Sequence, residues 1–299
     1  MRNKLLRVAL GTSAVFAAGS LGLGSYITRI PRQSLSEAME WQRNHYDISW
    51  LDDVPQEPYT VPSWDGYELH AVLLRCADPD SRRWVILTHG YTDNRWGSLK
   101  YAKMYLDWGW NCILWDMRGH GANTPARCTY GITESQDLAE LIKDTRRRWG
   151  EDITLGLHGE SLGAATTIAA LQYSPEVDFA VADCPFADII NVLEGRSHPL
   201  VVQWASLGAK LRCGHSLTEM RPIDALKHSW VPLLLIHGEK DSFISPENSR
   251  RLYEAAQGVK ELHIIEGAEH AQSVLTAPEE YRSIVSRFLR QVTAPVPTA

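Results

Sequence analysis

Short apolar runs alternate with helical segments along most of this chain, and no other feature limits its architecture as much. Trp84–Thr88, Cys112–Trp115, Ile153–Leu157, Phe179–Ala182, Leu233–Ile236 and Leu262–Ile265 read as short buried strands. Between them, Gly97–Trp108, Glu134–Trp149, Leu162–Gln172 and Glu247–Ala256 carry helical spacing, and Pro278–Arg290 supplies a closing helix. Strands that are apolar at nearly every position need cover on both faces. The series therefore predicts an α/β fold, a mostly parallel sheet with helices on both sides. Ahead of it, Pro58–Val61 and Tyr67–Arg75 flank the turn signal Asp65-Gly66 and predict a β-hairpin. Thr133 is the expected N-cap of the helix Glu134–Trp149.

The rhythm breaks between Ala187 and Ser229, which carries helical apolar patches and no strand-like run. A structureless loop of that length is uncommon, so residues 187–229 are expected to form an inserted helical cap. Residues 31–57 read as a polar and aromatic connector with some helix, and the proline-bearing tail 293–299 as disordered.

The first 30 residues differ from the rest. Arg2, Lys4 and Arg7 precede an uncharged run, Val8–Thr28, closed by Arg29 and Arg32. That run approaches the roughly 20 residues a helix needs to cross a bilayer. It is apolar on all faces and holds Gly11, Gly19, Gly22 and Gly24, and glycine is commoner in membrane spans than in soluble helices. The leading expectation is a signal-anchor helix at residues 1–30, in a single-pass membrane protein whose body lies outside the cytoplasm. A cleaved signal peptide, with Ala17, Ala18 and Gly19 as the site and a secreted product, is the alternative. A buried helix of a soluble body is the third.

The body itself excludes several classes. A mean hydropathy of −0.24 does not suit a polytopic membrane protein. A formal net charge of −6 offers no global basic field for nucleic acid. The five cysteines, Cys76, Cys112, Cys128, Cys184 and Cys213, are odd in number and form no CxxC. No HExxH, P-loop or G-x-G-x-x-G at a first strand appears. Neither a metal nor a cofactor is implied.

Gly159-Glu160-Ser161-Leu162-Gly163 is a G-x-S-x-G pentapeptide. It follows the strand Ile153–Leu157 and opens a helix of small residues, the context in which such a serine is presented on a sharp turn. The turn also puts the hydroxyl at a helix N-terminus, where partial positive charge favours a developing anion. His89-Gly90-Tyr91 follows Trp84–Thr88, and Asp116-Met117-Arg118-Gly119-His120-Gly121 follows Cys112–Trp115. Asp241 follows the strand ending at His237-Gly238, and His270 follows the one ending at Ile265.

In these segments the chain resembles the α/β-hydrolase family, more narrowly its acylglycerol-lipase and serine-aminopeptidase-like branch, which includes anchored bacterial hydrolases. The resemblance runs from about Tyr59 to Leu289, and implies one hydrolase domain over residues 58–292. It implies a Ser161–Asp241–His270 triad in the family's order. Its oxyanion hole would be the backbone N–H groups of Tyr91 and Leu162, with the Tyr91 ring free to line an acyl pocket. A dehalogenase or epoxide hydrolase of this fold would instead carry aspartate at position 161. His270 is the expected base and Asp241 its orienting partner. Asp183, at the end of Phe179–Ala182, is the rival acid. Glu160 is expected to point away from the chemistry, towards substrate or cap. His89, His120, His158 and His237 are expected to pack or hold backbone, and Arg118 to tie loops together.

The function expected is cleavage of a small-molecule ester, including acyl or lipid esters, through an acyl-enzyme. A serine peptidase, amidase or thioesterase using the same triad is the close alternative. A tethered binding module without turnover is the alternative of another class.

Overall fold

A computed structural model describes residues 18–293. Its centre is one eight-stranded sheet in the order β1-β2-β4-β3-β5-β6-β7-β8. β1 (Gln56–Pro62) and β2 (Glu68–Leu74) form the expected antiparallel hairpin. Gly66 in its turn has φ +81°, a left-handed conformation that glycine enters without steric cost. β2 pairs antiparallel with β4 (Asn111–Trp115). From β4 the sheet is parallel through β3 (Arg83–Thr88), β5 (Thr154–Glu160), β6 (Phe179–Asp183), β7 (Leu233–Gly238) and β8 (Lys260–Ile265).

Alternate residues of each central strand feed two separate cores, which is why the strands read as unbroken apolar runs. In β3, Trp84 and Ile86 join the core that holds Leu138 and Leu141 of α4 (Ile132–Trp149) and Ala164 and Ile168 of α5 (Leu162–Ala170). Val85 and Leu87 join the other core, with Tyr101 and Tyr105 of α3 (Leu99–Asp107) and Tyr281 and Phe288 of α10 (Pro278–Thr293). All five cysteines are free thiols, and all but Cys213 are buried.

Residues 187–229 hold two helices, α6 (Ile189–Glu194) and α7 (Pro199–Cys213), followed by two short 3-10 turns. Before the sheet, α2 (Leu35–His45) is closed by a reciprocal Ser34–Glu37 cap. After it come α8 (Glu247–Ala255) and the short α9 (Ser273–Thr276). The expected cap at Thr133 is displaced: the N-cap of α4 is Gly131, and Glu134 accepts the Gly131 N–H at 3.0 Å and the Thr129 N–H at 2.8 Å. A longer carboxylate inside the first turn reaches the free amides, so Thr133 is not needed there.

The N-terminal expectation is corrected. Among the described residues no helix is long and apolar enough to cross a membrane. Residues 18–27 are helical (α1) and pack against α7. A Cβ on Gly24 would come within 2.1 Å of the Gly208 carbonyl carbon in α7, and one on Gly208 within 1.7 Å of the Ser20 carbonyl oxygen. Ser20 and Thr28 are fully buried on that face. These glycines permit close approach of two helices of the body, so the reading of residues 1–30 as a membrane anchor does not hold for this part. The remainder of the proposed anchor, with Arg2, Lys4 and Arg7, and the tail 294–299 lie outside the described residues.

Candidate active site

The parallel strands deliver their C-terminal ends to one edge of the sheet. β3 lies between β4 and β5, so chain order reverses there, and such a reversal opens a crevice beyond the strand ends. β5 ends at Glu160, and Ser161 follows with φ 53° and ψ −114°. That backbone is strained for a side-chain-bearing residue and turns the chain from strand into α5. Two glycines make the turn sterically possible. A Cβ on Gly159 would sit 2.2 Å from the Gly163 carbonyl oxygen, and one on Gly163 2.2 Å from that of Thr88. The Ser161 N–H donates to the Asp183 carbonyl at 2.8 Å, locking the elbow to β6.

The Ser161 hydroxyl lies 2.9 Å from His270 Nε2, and His270 Nδ1 lies 2.7 Å from Asp241 Oδ2. Because Asp241 can only accept, the imidazole proton sits on Nδ1, and Nε2 presents its lone pair to the serine. Asp241 is itself held. Its Oδ1 accepts the backbone N–H groups of Phe243 at 2.8 Å and Ile244 at 2.7 Å. Its Oδ2 also meets His237 Nε2 at 3.1 Å. Burial alone would raise the Asp241 pKa, but the hydrogen bonds from His237 and His270, with that of the Ile244 amide, hold it well below the usual carboxylate range. His237 is fully buried and is fixed through Nδ1 by Ser249 Oγ at 2.7 Å.

The loop after β3 runs beside the elbow: a Cβ on Gly90 would lie 3.8 Å from the Ser161 Cβ. Two buried histidines shape it. His89 donates from Nδ1 to the Gly90 carbonyl at 2.7 Å and accepts the Met117 N–H at 3.0 Å. Burial, with the neighbouring His120 next, pushes the His89 pKa down to about 3, so it is neutral. His120 Nε2 meets the Tyr91 carbonyl at 2.9 Å. Leu162 carries the first amide of α5, which has no acceptor within its own helix. Leu162 thus directly follows Ser161, and Gly90, the neighbour of Tyr91, lies beside it.

Other expectations resolve individually. Asp183 is fully buried; its Oδ2 lies 3.0 Å from the Tyr101 hydroxyl, and burial followed by the Glu160 charge pushes its pKa up to about 6. Asp241, not Asp183, is hydrogen-bonded to His270. Glu160 does not face substrate or cap. It is buried against Lys100, with Oε2 2.6 Å from the Tyr101 hydroxyl. Arg118 pairs with Asp65 at 2.7 Å and Asp137 at 2.5 Å, tying the hairpin turn to α4. The sequence reading missed Lys100, Tyr101 and the support given by His237. An acidic residue inside a turn that must be buried was the available signal, since such a charge needs a cation nearby.

A cavity of about 580 Å³ opens on Ser161. Tyr91, Tyr130 and Phe186 line it from the body, Ile189 and Val192 from α6, and Ile27 from the N-terminal segment.

A family model described as serine aminopeptidase, S33, matches residues 79–217 and 212–273. The chain belongs to this family of α/β hydrolases. A relative of this S33 hydrolase, the uncharacterized protein YqkD of Bacillus subtilis, is 31% identical over 97% of both chains. The human protein ABHD12B is 28% identical over 67% of this chain and 58% of its own length. The lysophosphatidylserine lipase ABHD12 of Macaca fascicularis is 23% identical over 68% of this chain and 54% of its own length. Among solved structures, the Pyrococcus furiosus esterase Pf2001 superimposes with a TM-score of 0.65 at 24% identity, covering 80% of this chain and 94% of that one. That likeness concerns the fold.

Proposed function

We propose that this S33 hydrolase cleaves carboxylic esters with an apolar acyl group, by way of an acyl-enzyme on Ser161. The observation that carries the reading is the Ser161–His270–Asp241 hydrogen-bond chain opening on an apolar cavity. A serine hydroxyl attacks a carbonyl only when a base takes its proton, and His270 Nε2 is positioned to do so. The resulting imidazolium is stabilised by Asp241, which stays ionised. The tetrahedral oxyanion would be held by the Tyr91 and Leu162 N–H groups; losing one such donor typically costs about 2.7–4 kcal/mol of barrier. His270 then protonates the leaving alcohol, and a water activated by the same imidazole releases the acid.

The family's description as serine aminopeptidases favours a second reading, peptide cleavage. An aminopeptidase must pair with the substrate's ammonium, and the described lining of the cavity includes Arg29 and Arg196 but no aspartate or glutamate. That chemistry supports an ester over a free amino terminus. The lipase name of the ABHD12 relatives is consistent with an acyl substrate.

A fluorophosphonate probe tests the reading. Wild type should label and Ser161→Ala should not; an unlabelled wild type, or labelling of the variant, overturns it. p-Nitrophenyl esters of rising chain length, assayed beside aminoacyl-anilides, decide between ester and peptide cleavage.

A further inference from the structure

We infer that the N-terminal segment 25–32 is a fixed wall of the acyl pocket and sets which acyl chain lengths the site accepts. This rests on the ester-hydrolase reading above.

The segment is fastened to the body at four of its carbonyls, those of Ser25, Ile27, Thr28 and Arg29. The last carbonyls of a helix have no acceptor role within it, and here the body supplies their donors. Arg127 donates to the Ser25 carbonyl at 3.0 Å and the Tyr130 hydroxyl to that of Ile27 at 2.6 Å. The Cys128 N–H donates to the Thr28 carbonyl at 2.9 Å, and the Tyr91 hydroxyl to that of Arg29. Beyond them, Arg32 donates to the carbonyls of Gly121 at 3.0 Å and Asn123 at 2.6 Å. Ile30 is buried in the core against Gly119. On the other side, the Gly24–Gly208 contact clamps α1 to α7.

The fastening side chains also form the pocket. Tyr91 and Tyr130 stack with ring centroids 5.9 Å apart and 14° between planes, and both line the cavity beside Ser161. Tyr26, Ile27 and Pro31 complete the cavity from the segment itself. Part of the apolar surface of the cavity therefore comes from residues that precede the whole catalytic fold in sequence. Because the two tyrosines grip both the segment and the pocket, displacing the segment alters the surface that the acyl group meets.

The test uses the full chain and the ratio of kcat/KM for p-nitrophenyl decanoate to that for the butyrate. Ile27→Trp fills the wall and should lower this ratio about tenfold, the size expected when two methylenes lose their pocket. Gly24→Leu forces α1 off Gly208 and should flatten the chain-length profile about threefold or more, as apolar contact is lost. Should Gly24→Leu fail to fold by circular dichroism, Tyr130→Phe, which deletes the bond to Ile27, replaces it with the same expectation. Folded variants that keep the wild-type ratio overturn the wall while leaving the hydrolase reading intact. A wild type that turns over no ester of any length overturns that reading itself, and the wall with it.

Discussion

The ammonium of Lys100 is buried in an ion pair with the carboxylate of Glu160, the residue immediately before Ser161. The same ammonium donates to the carbonyl of Ala271, immediately after His270, at 3.0 Å. One cation thus joins the elbow that carries the serine to the loop that carries the histidine. Burial would pull the Lys100 pKa down, but Glu160 and Asp183 hold it above its ordinary value.

Removing one partner of such a pair leaves the other charge buried alone. Lys100→Met should destabilise by about 3–5 kcal/mol, and the double variant Lys100→Met/Glu160→Gln should recover part of that loss. Urea denaturation of wild type, both single variants and the double variant measures this coupling. Additive losses would mean that the two side chains do not interact. In both single variants kcat should fall more than KM changes, because the geometry between serine and histidine is what loosens.

The two buried aspartates separate cleanly. Asp241→Asn cannot hold the His270 tautomer, and should lower kcat by about 10⁴. Asp183→Asn should lose far less, because its side chain meets Tyr101 and its link to Ser161 is through the backbone. Equal losses in steady-state assays of the two variants would remove Asp241 from its orienting role.

Two glycine substitutions should rank in a fixed order. Gly159→Ala drives a methyl into the Gly163 carbonyl, a backbone atom that cannot move aside, and should cost about 3 kcal/mol or prevent folding. Gly66→Ala meets open space and pays only for its left-handed backbone, about 1–2 kcal/mol. Thermal melts of the two variants give the order, and a reversal would contradict the packing of the elbow.

His158 gives stability a defined pH dependence. It is buried between the hydroxyls of Tyr105 at 3.1 Å and Tyr281 at 3.0 Å, and burial followed by the Lys100 charge pushes its pKa down to about 3. The unfolded chain protonates a histidine near pH 6.5. Between about pH 6.5 and 3 the unfolded state therefore binds more protons, so stability falls as pH falls through that window and is flat in this respect above it. The slope from one such proton is about 1.4 kcal/mol per pH unit. The stability difference between wild type and His158→Gln should accordingly shrink as pH drops below about 6.5. A pH-independent difference in denaturation midpoints would show that His158 is not held neutral.

The alternation of short apolar runs and helices determined the parallel sheet, because a strand covered on both faces has no polar side to show. The strand–turn–helix context of Gly159–Gly163 determined where Ser161 sits, since small residues are required where backbones touch. Placing Asp241 and His270 just past strand ends in the sequence was enough to bring them to one edge, where the structure puts them in hydrogen-bond reach of one another and of Ser161. Lys100 was not legible, because a lysine on a helix reads as a solvated charge until a fold places Glu160 against it. Nor was the N-terminal run. Apolarity and glycine content state that a helix avoids water and can approach a neighbour closely, and lipid and protein meet those needs equally well in one dimension. Only the tertiary structure, by setting Gly24 against Gly208 and handing the carbonyls of Ser25 and Ile27 to Arg127 and Tyr130, decided which surface covers the described part of that run.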